Sequence, residues 1–265
     1  MAKFKIALDC GHGLKTAGKQ TPDGIKEWTL NDKVRDKVVA ILKDYDCEII
    51  HADNNEGNTD ESLASRVAKY VNAGVSVFVS IHHNAFTGKW NTATGVEVFT
   101  DKNPTDADKR LAELIYNKMV SYTGLRGRGI KAEDWYVINQ DRIPAVLCEG
   151  GFMDGTNDYK VITSDAGQTA YAKAVAEGII EFLGLTKKQT TPAPTTTTFK
   201  SYRVKVTASS LNIRKGAGTN YGKNGAITDK GVYTIVAEAN GKGATKWGKL
   251  KSGAGWISLD YCKKV

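Results

Sequence analysis

Residues 75–84 read Val75-Ser76-Val77-Phe78-Val79-Ser80-Ile81-His82-His83-Asn84, an apolar, β-branched run that ends on two histidines. The same pattern stands at the start of the chain, where Lys3 to Leu8 runs into Asp9-Cys10-Gly11-His12-Gly13. Each run reads as a buried strand of a mainly parallel sheet. Ligands in open α/β sheets gather beyond the carboxyl ends of the strands, so residues just past two strand ends can converge in space. The chain has four histidines, and His12 and His82 occupy two such places. A metal site is the reading this suggests.

Outward from these runs, strand and helix patterns alternate. Strands are expected at about 3 to 9, 47 to 51, 75 to 82, 95 to 100, 134 to 139 and 144 to 149. Between them Leu30, Val34, Val38, Ile41 and Leu42 recur at helical spacing. Leu63, Val67 and Val71 do the same, as do Tyr171, Val175, Ile179 and Phe182. Such alternation predicts an α/β fold, a mostly parallel open sheet with helices on both faces. Gly184 is a natural stop for the last helix.

The pattern then breaks. Residues 186–200 form a Thr/Pro-rich stretch with no hydrophobic period, and Pro192 and Pro194 favour an extended spacer. Beyond it lie short β-rich segments punctuated by glycine: Tyr202 to Val206, Leu211 to Arg214, Val232 to Ala237, Trp247 to Leu250 and Gly255 to Ser258. These predict a small all-β barrel. The expected organisation is a catalytic domain at 1–185, a linker at 186–200 and a β domain at 201–265.

Charge follows the same division. The formal charge of +8 divides into −4 over residues 1–185, +3 over 186–200 and +9 over 201–265. A small basic module points to a polyanionic partner, a solubilising surface being the plainer alternative. The 41% hydrophobic and 25% charged content is that of an ordinary globular chain rather than a fibrous or disordered one. No apolar run approaches the roughly 20 residues that span a bilayer. The N-terminus enters a strand almost at once, so no secretory signal is expected. Cys10, Cys47, Cys148 and Cys262 lack close pair spacing and are expected to be reduced, with Cys10 and Cys148 packed beside motif residues.

A catalytic zinc site usually takes three protein ligands and leaves one position open. His12 and His82 supply two. Glu27, at the start of the helix that follows the first strand, is placed to be the third, with Asn31 one turn later to orient it. The competing reading makes Glu27 a first-turn acid stabilised by the helix dipole. Glu149 ends the apolar run Ala145-Val146-Leu147-Cys148, where a lone carboxylate costs several kcal/mol, on the order of its desolvation, unless paired or near a cation. A metal and its water supply a reason for it, since a glutamate there can take and return a proton. An ion pair with Arg128 or Arg142 is the alternative.

Together these residues resemble a known family. Asp9-Cys10-Gly11-His12-Gly13, Glu27 followed by Asn31, Arg66, Ser80-Ile81-His82-His83-Asn84, Gly95-Val96-Glu97-Val98-Phe99 and Glu149-Gly150-Gly151-Phe152-Met153 are similar to the zinc-dependent N-acetylmuramoyl-L-alanine amidases of type 3. The resemblance covers about residues 3 to 184. It implies one zinc ion held by His12, Glu27 and His82, with Glu149 as the catalytic glutamate. His83 stands where the family usually has a small residue; it and Asn84 are expected either to face the substrate or to support the ligands from behind. His51 has no motif around it. The implied reaction is hydrolysis of the amide between N-acetylmuramic acid and L-alanine in peptidoglycan.

The segment from Leu211 to Tyr221, with Lys230 to Ile235 and Gly255 to Tyr261, resembles a bacterial SH3-like cell-wall-binding domain. This implies peptidoglycan and its associated polymers as partners, with no nucleic acid expected and no membrane span. The missing export signal fits an endolysin of a phage, or a mother-cell amidase, held in the bacterial cytoplasm until a pore or lysis releases it. Two rival functions predict different products: a zinc peptidase would cut within the stem peptide, and an inactive wall-binding protein would bind without lysis.

Overall fold

The computed structural model describes residues 4–139, 143–188 and 199–265. The expected linker prolines and Arg142 lie outside these residues. Two compact units separate, Met1–Lys188 and Gln189–Val265.

The first unit is built on a six-stranded sheet. Its strands are β1 (Phe4–Cys10), β2 (Cys47–His51), β3 (Val77–Asn84), β4 (Val96–Thr100), β5 (Gly127–Ala132) and β6 (Ala145–Phe152), in the order β2-β1-β3-β6-β4-β5. All neighbours are parallel except β4 and β6, which run antiparallel. Between the strands lie α1 (Glu27–Leu42), α2 (Leu63–Ala73) and α3 (Asp106–Thr123), and after β6 come α4 (Asp158–Ile162) and α5 (Asp165–Leu183). The sheet is therefore mixed but mostly parallel, as the sequence predicts.

The two-residue period of a strand divides the core. Ile6, Leu8, Val77, Val79, Ile81, Val96, Val98, Val146 and Cys148 face one way and pack on α1, α3 and α5. Ala7, Phe78, Phe99, Ala145 and Leu147 face the other and meet Val67 and Tyr70 of α2 together with Val137 and Ile138. Three helices thus cover one face and a single 11-residue helix helps to cover the other. The carboxyl end of that second face stays open, which is where a cleft can form.

Local chemistry fixes the helix ends. Ser62 caps α2 by accepting from the Ser65 N–H. Thr105 and Asp108 form a capping box at α3, and the second oxygen of Asp108 takes the Ala145 N–H at 2.9 Å, tying that helix to the start of β6. Gly184 follows α5 at φ 61°, the left-handed stop its position suggests.

Two elements differ from expectation. Residues 134–139 are not a strand: the Ile138 N–H turns back to the Trp135 carbonyl, and Val137 and Ile138 are buried as a loop plug under α2. The fifth strand is instead Gly127–Ala132, whose residues alternate between half-buried and exposed at the sheet edge. An edge strand with little apolar content gives no hydrophobic signal, whereas a buried loop imitates one. All four cysteines are free. Cys10 and Cys148 both align with Ile81, which lies between them in the sheet.

The second unit is a seven-stranded antiparallel sheet. It comprises β7 (Tyr202–Val206), β8 (Leu211–Arg214), β9 (Lys223–Ile227), β10 (Val232–Gly241), β11 (Ala244–Leu250), β12 (Trp256–Ser258) and β13 (Cys262–Lys264), in the order β13-β7-β10-β11-β12-β8-β9. Val204, Val206, Leu211, Ile227, Ile235, Leu250 and Ile257 make its own core. The strands at 223–227 and 262–264 escape sequence reading because nearly every residue in them is exposed or half-exposed.

Candidate active site

His12 and His82 leave the carboxyl ends of β1 and β3, which are neighbours, and Glu27 is the first residue of α1. The Glu27 carboxylate lies between the two rings. One oxygen is 3.3 Å from His12 Nε2 and the other 3.0 Å from His82 Nδ1. One ligand atom from each of the three residues falls within 4.8 Å of the other two. Two imidazoles and a buried carboxylate are the donor types a catalytic zinc site uses, so the arrangement fits such an ion.

The backbone is shaped around this cluster. His12 adopts φ 65°, a left-handed conformation uncommon outside glycine. Arg66 holds it there: its guanidinium pairs with Asp9 at 2.5 Å and donates to the carbonyls of Cys10 and His12 at 2.6 and 2.9 Å. Gly11 has no side chain because there is no room for one. A Cβ there would lie 1.9 Å from Cε1 of His82, so the ring packs directly on the Gly11 backbone.

His83 points the other way, as the next residue in a strand must. It is 2% exposed, and its Nδ1 is 2.8 Å from the Asn31 side-chain oxygen while its ring meets Tyr171 edge-on. Asn31 also donates to the Gly11 carbonyl, and the His83 N–H donates to Glu27 at 3.3 Å. Asn31 and His83 therefore brace the first histidine loop and Glu27 from behind. Burial draws the His83 ring down to about 4, so it is neutral at ordinary pH. His51, at the end of β2, is not part of the cluster.

Glu149 aligns with His82 on the adjacent strand β6. Its Oε2 is buried without a hydrogen-bond partner. Burial raises its pKa to about 8, and the charges of Glu27 and Glu97 add to the rise against the opposing pull of His82. Arg128, one of its two possible partners from sequence, pairs with Glu97 instead, at 2.8 Å. A cavity of about 280 Å³ is lined by His12, Glu27, His82, Glu149 and Asn84, with Lys19 at its edge. A second, of about 440 Å³, shares His12, His82 and Glu149 and extends to Leu63, Trp135 and Tyr136.

The charges within the cluster are complementary. Burial and the neighbouring His82 lower His12 to about 4, though Glu27 pulls the other way. Burial works against the Glu27 carboxylate, but the bond and charge of His82 and the charge of His12 outweigh it and hold its pKa low. Burial likewise opposes charge on His82, and its bond to Glu27 reverses that.

Two groups of acids escaped the sequence reading. Glu97 is 2% exposed and stands opposite Glu149 on β4; it accepts from Asn84 at 2.6 Å and pairs with Arg128 and Lys131. A carboxylate inside Val96-Glu97-Val98-Phe99 is the same signal that singled out Glu149. Asp154, fully buried, accepts the backbone N–H groups of Phe86, Thr87 and Gly88 and so sets the loop after β3. Asp158 accepts from the Thr94 hydroxyl and from the backbone N–H groups of Gly95 and Phe152.

Comparison with known proteins places this geometry among relatives. A family model described as N-acetylmuramoyl-L-alanine amidase matches residues 6–181. The endolysin of Bacillus phage SPP1 is 33% identical over 191 residues, covering 71% of this chain and 69% of that protein. The N-acetylmuramoyl-L-alanine amidase LytC of Bacillus subtilis is 30% identical over 178 residues, 67% of this chain and 35% of its own length. Among solved structures, an N-acetylmuramoyl-L-alanine amidase from Clostridium difficile 630 superposes with a TM-score of 0.65 at 28% identity, covering 69% of this chain and 98% of that one. The catalytic domain of CwlV from Bacillus (Paenibacillus) polymyxa gives 0.63 at 29%, covering 69% and 99%.

Proposed function

Since the chain belongs to the N-acetylmuramoyl-L-alanine amidase family, we propose that it hydrolyses the amide joining N-acetylmuramic acid to L-alanine in peptidoglycan, with His12, Glu27 and His82 holding one zinc ion and Glu149 moving the proton. The observation that carries the assignment to Glu149 is that its side chain lines the same cavity as the three ligand residues, with one carboxylate oxygen, Oε2, buried and without a partner. A buried oxygen with no partner is costly, and a reacting water is a partner that such an atom can use.

Zinc bound there would supply a Lewis acid that polarises the amide carbonyl and makes water more acidic. The chain does the rest. Glu149 accepts a proton on its carboxylate as water attacks the carbonyl and delivers it to the departing L-alanine nitrogen. Its raised proton affinity suits the second half of that cycle. The His83 N–H holds Glu27 in orientation, Asn31 holds the His83 ring and the Gly11 carbonyl, and Arg66 holds the His12 loop, so the ligands are set before metal arrives. Asn84, bonded to Glu97, borders the cavity beside Glu149 and orders that wall.

For the second unit we propose an SH3-like wall-binding role. The antiparallel strands, the net charge of +9 and the exposed rings of Tyr221 and Tyr261 support it. Similarity to a phage endolysin supports action on the wall from within a host cell, after release through the membrane. No helix among the described residues is long and apolar enough to cross a membrane.

Digestion of purified peptidoglycan with the zinc-loaded protein tests the reaction. Stem peptides with a free L-alanine amine support it; stems cut internally oppose it.

A further inference from the structure

Beyond the reacting centre, on the same open face of the sheet, Arg128 is built in a way that surface arginines are not. Its stem lies over Gly95, where a Cβ would be 2.8 Å from Cγ and 3.0 Å from Cδ. Its Nε donates to Glu97 at 2.8 Å, and its guanidinium carbon sits 4.9 Å from the centre of the Phe152 ring. Three contacts therefore fix the group, yet they use only one of its nitrogens as a donor. Among the described residues, neither terminal nitrogen has a hydrogen-bond partner. Arg128 borders a cavity of about 290 Å³ that is also lined by Phe86, Asn91, Thr92, Ala93 and Phe152.

The local charge agrees with an anionic ligand. Glu97 is nearly inaccessible and is shared by two cations, Arg128 and Lys131, leaving an excess of one positive charge. Both cations are about one-third exposed. Glu97 also joins this corner to the reacting centre, because its other oxygen accepts from Asn84, which lines the cavity with Glu149. A fixed guanidinium with two free donors is shaped for a planar, bidentate carboxylate.

Resting on the amidase reading above, we propose that Arg128 is a specificity residue that binds a free carboxylate on the peptide arm of the substrate. The amide to be cut consumes the lactyl carboxyl of the sugar, so the remaining carboxylates of a muropeptide lie on the peptide side. Arg128 thus marks the direction in which the stem peptide leaves the reacting centre. Glu97 is a positioning residue that aims it. The stem's second residue, a glutamate whose α-carboxyl is free in some walls and amidated in others, is the nearest such group along the stem.

The test uses the full-length, zinc-loaded protein and two muramoyl dipeptides whose γ-carboxyl is capped as the methylamide, as the next residue caps it in the wall, and which differ only in the α-carboxyl, free in one and amidated in the other. Binding is measured by titration with the Glu149→Gln variant as background, so turnover does not intrude. The acid should bind about tenfold more tightly than the amide, an ordinary factor for one charge-assisted pair. Adding Arg128→Gln should bring the ratio to about one, and Arg128→Lys, which keeps charge without the fork, should restore only part of it. Equal binding of the two peptides, or a ratio unchanged by Arg128→Gln with melting temperature retained, overturns the proposal. If Arg128→Gln does not fold, Arg128→Lys decides alone: an undiminished ratio rejects the bidentate role. Wall digestion by the unaltered protein reports on the amidase reading separately, so the two can fail independently.

Discussion

Glu149 and Glu97 stand opposite each other on antiparallel strands, and they are opposites in chemistry. Glu97 has a partner on each oxygen, whereas Glu149 has a buried oxygen with none. One carboxylate is made structural by Arg128 and Lys131, and the other is kept proton-hungry by burial. Two acids in one patch thus acquire separate roles from their surroundings.

That difference predicts a pH signature in the metal-free protein. A carboxyl whose folded pKa of about 8 lies above its ordinary 4.5 holds its proton more tightly in the folded state. Stability then falls as pH rises from about 4.5 to about 8 and levels off beyond. Glu149→Gln removes this contribution, while the other titrating groups are common to both proteins. Relative to that variant, the metal-free wild type should lose on the order of a few kcal/mol across this range in urea unfolding. Parallel pH profiles would count against the buried, unpartnered state of Glu149.

Gly11→Ala should disable the metal centre without unfolding the chain. The new methyl carbon would meet the His82 ring at 1.9 to 2.3 Å and push it from Glu27. We expect zinc affinity to fall by about tenfold or more, as for lost ligand support elsewhere. Competition against a chelator, with circular dichroism for folding, measures it; undiminished affinity would mean that His82 is not a ligand.

Arg66→Met should be among the most destabilising single changes. It leaves Asp9 buried without its cation and frees the left-handed turn at His12. Breaking one partner of a buried pair costs about 3–5 kcal/mol. Chemical denaturation reads this directly, and a loss under about 1 kcal/mol would show that the turn does not depend on the clamp.

Removing residues 189–265 separates the two units. Each unit has its own buried core, so residues 1–188 should fold and retain cleavage of small soluble muropeptides. Co-sedimentation with intact walls should drop by about tenfold or more, the loss expected when a tether no longer raises local concentration. Equal sedimentation of both forms would remove the wall-binding role from the second unit.

Much of the fold is legible because its buried strands carry dense apolar runs. The strands expected at 3–9 and 75–82 fall within one or two residues of β1 and β3, and Gly184 ends α5 where its lack of a side chain suggests. Polar edges carry no such mark: Gly127–Ala132 is a strand by hydrogen bonding alone, while Val137 and Ile138 are apolar for the sake of a loop plug. The convergence of His12 and His82 follows from strand ends that sequence can locate, and that of Glu27 from the helix start that follows β1. What it could not fix was the facing of His83, which turns on a strand register, or the partner of Glu149, which required knowing that Glu97 takes Arg128 first. Asp154 and Asp158 remained unnoticed because each serves backbone groups far away in sequence.

The most direct measurement compares zinc-loaded wild type with Glu149→Gln on purified peptidoglycan, reading released fragments by mass spectrometry and bound zinc by elemental analysis. The wild type should release stem peptides beginning with a free L-alanine. The variant should keep its zinc and its fold but release at least about a hundredfold less, the scale of a lost general acid–base group. Peptides cut within the stem, or substantial release by a zinc-bound Glu149→Gln protein, would contradict the proposed reaction.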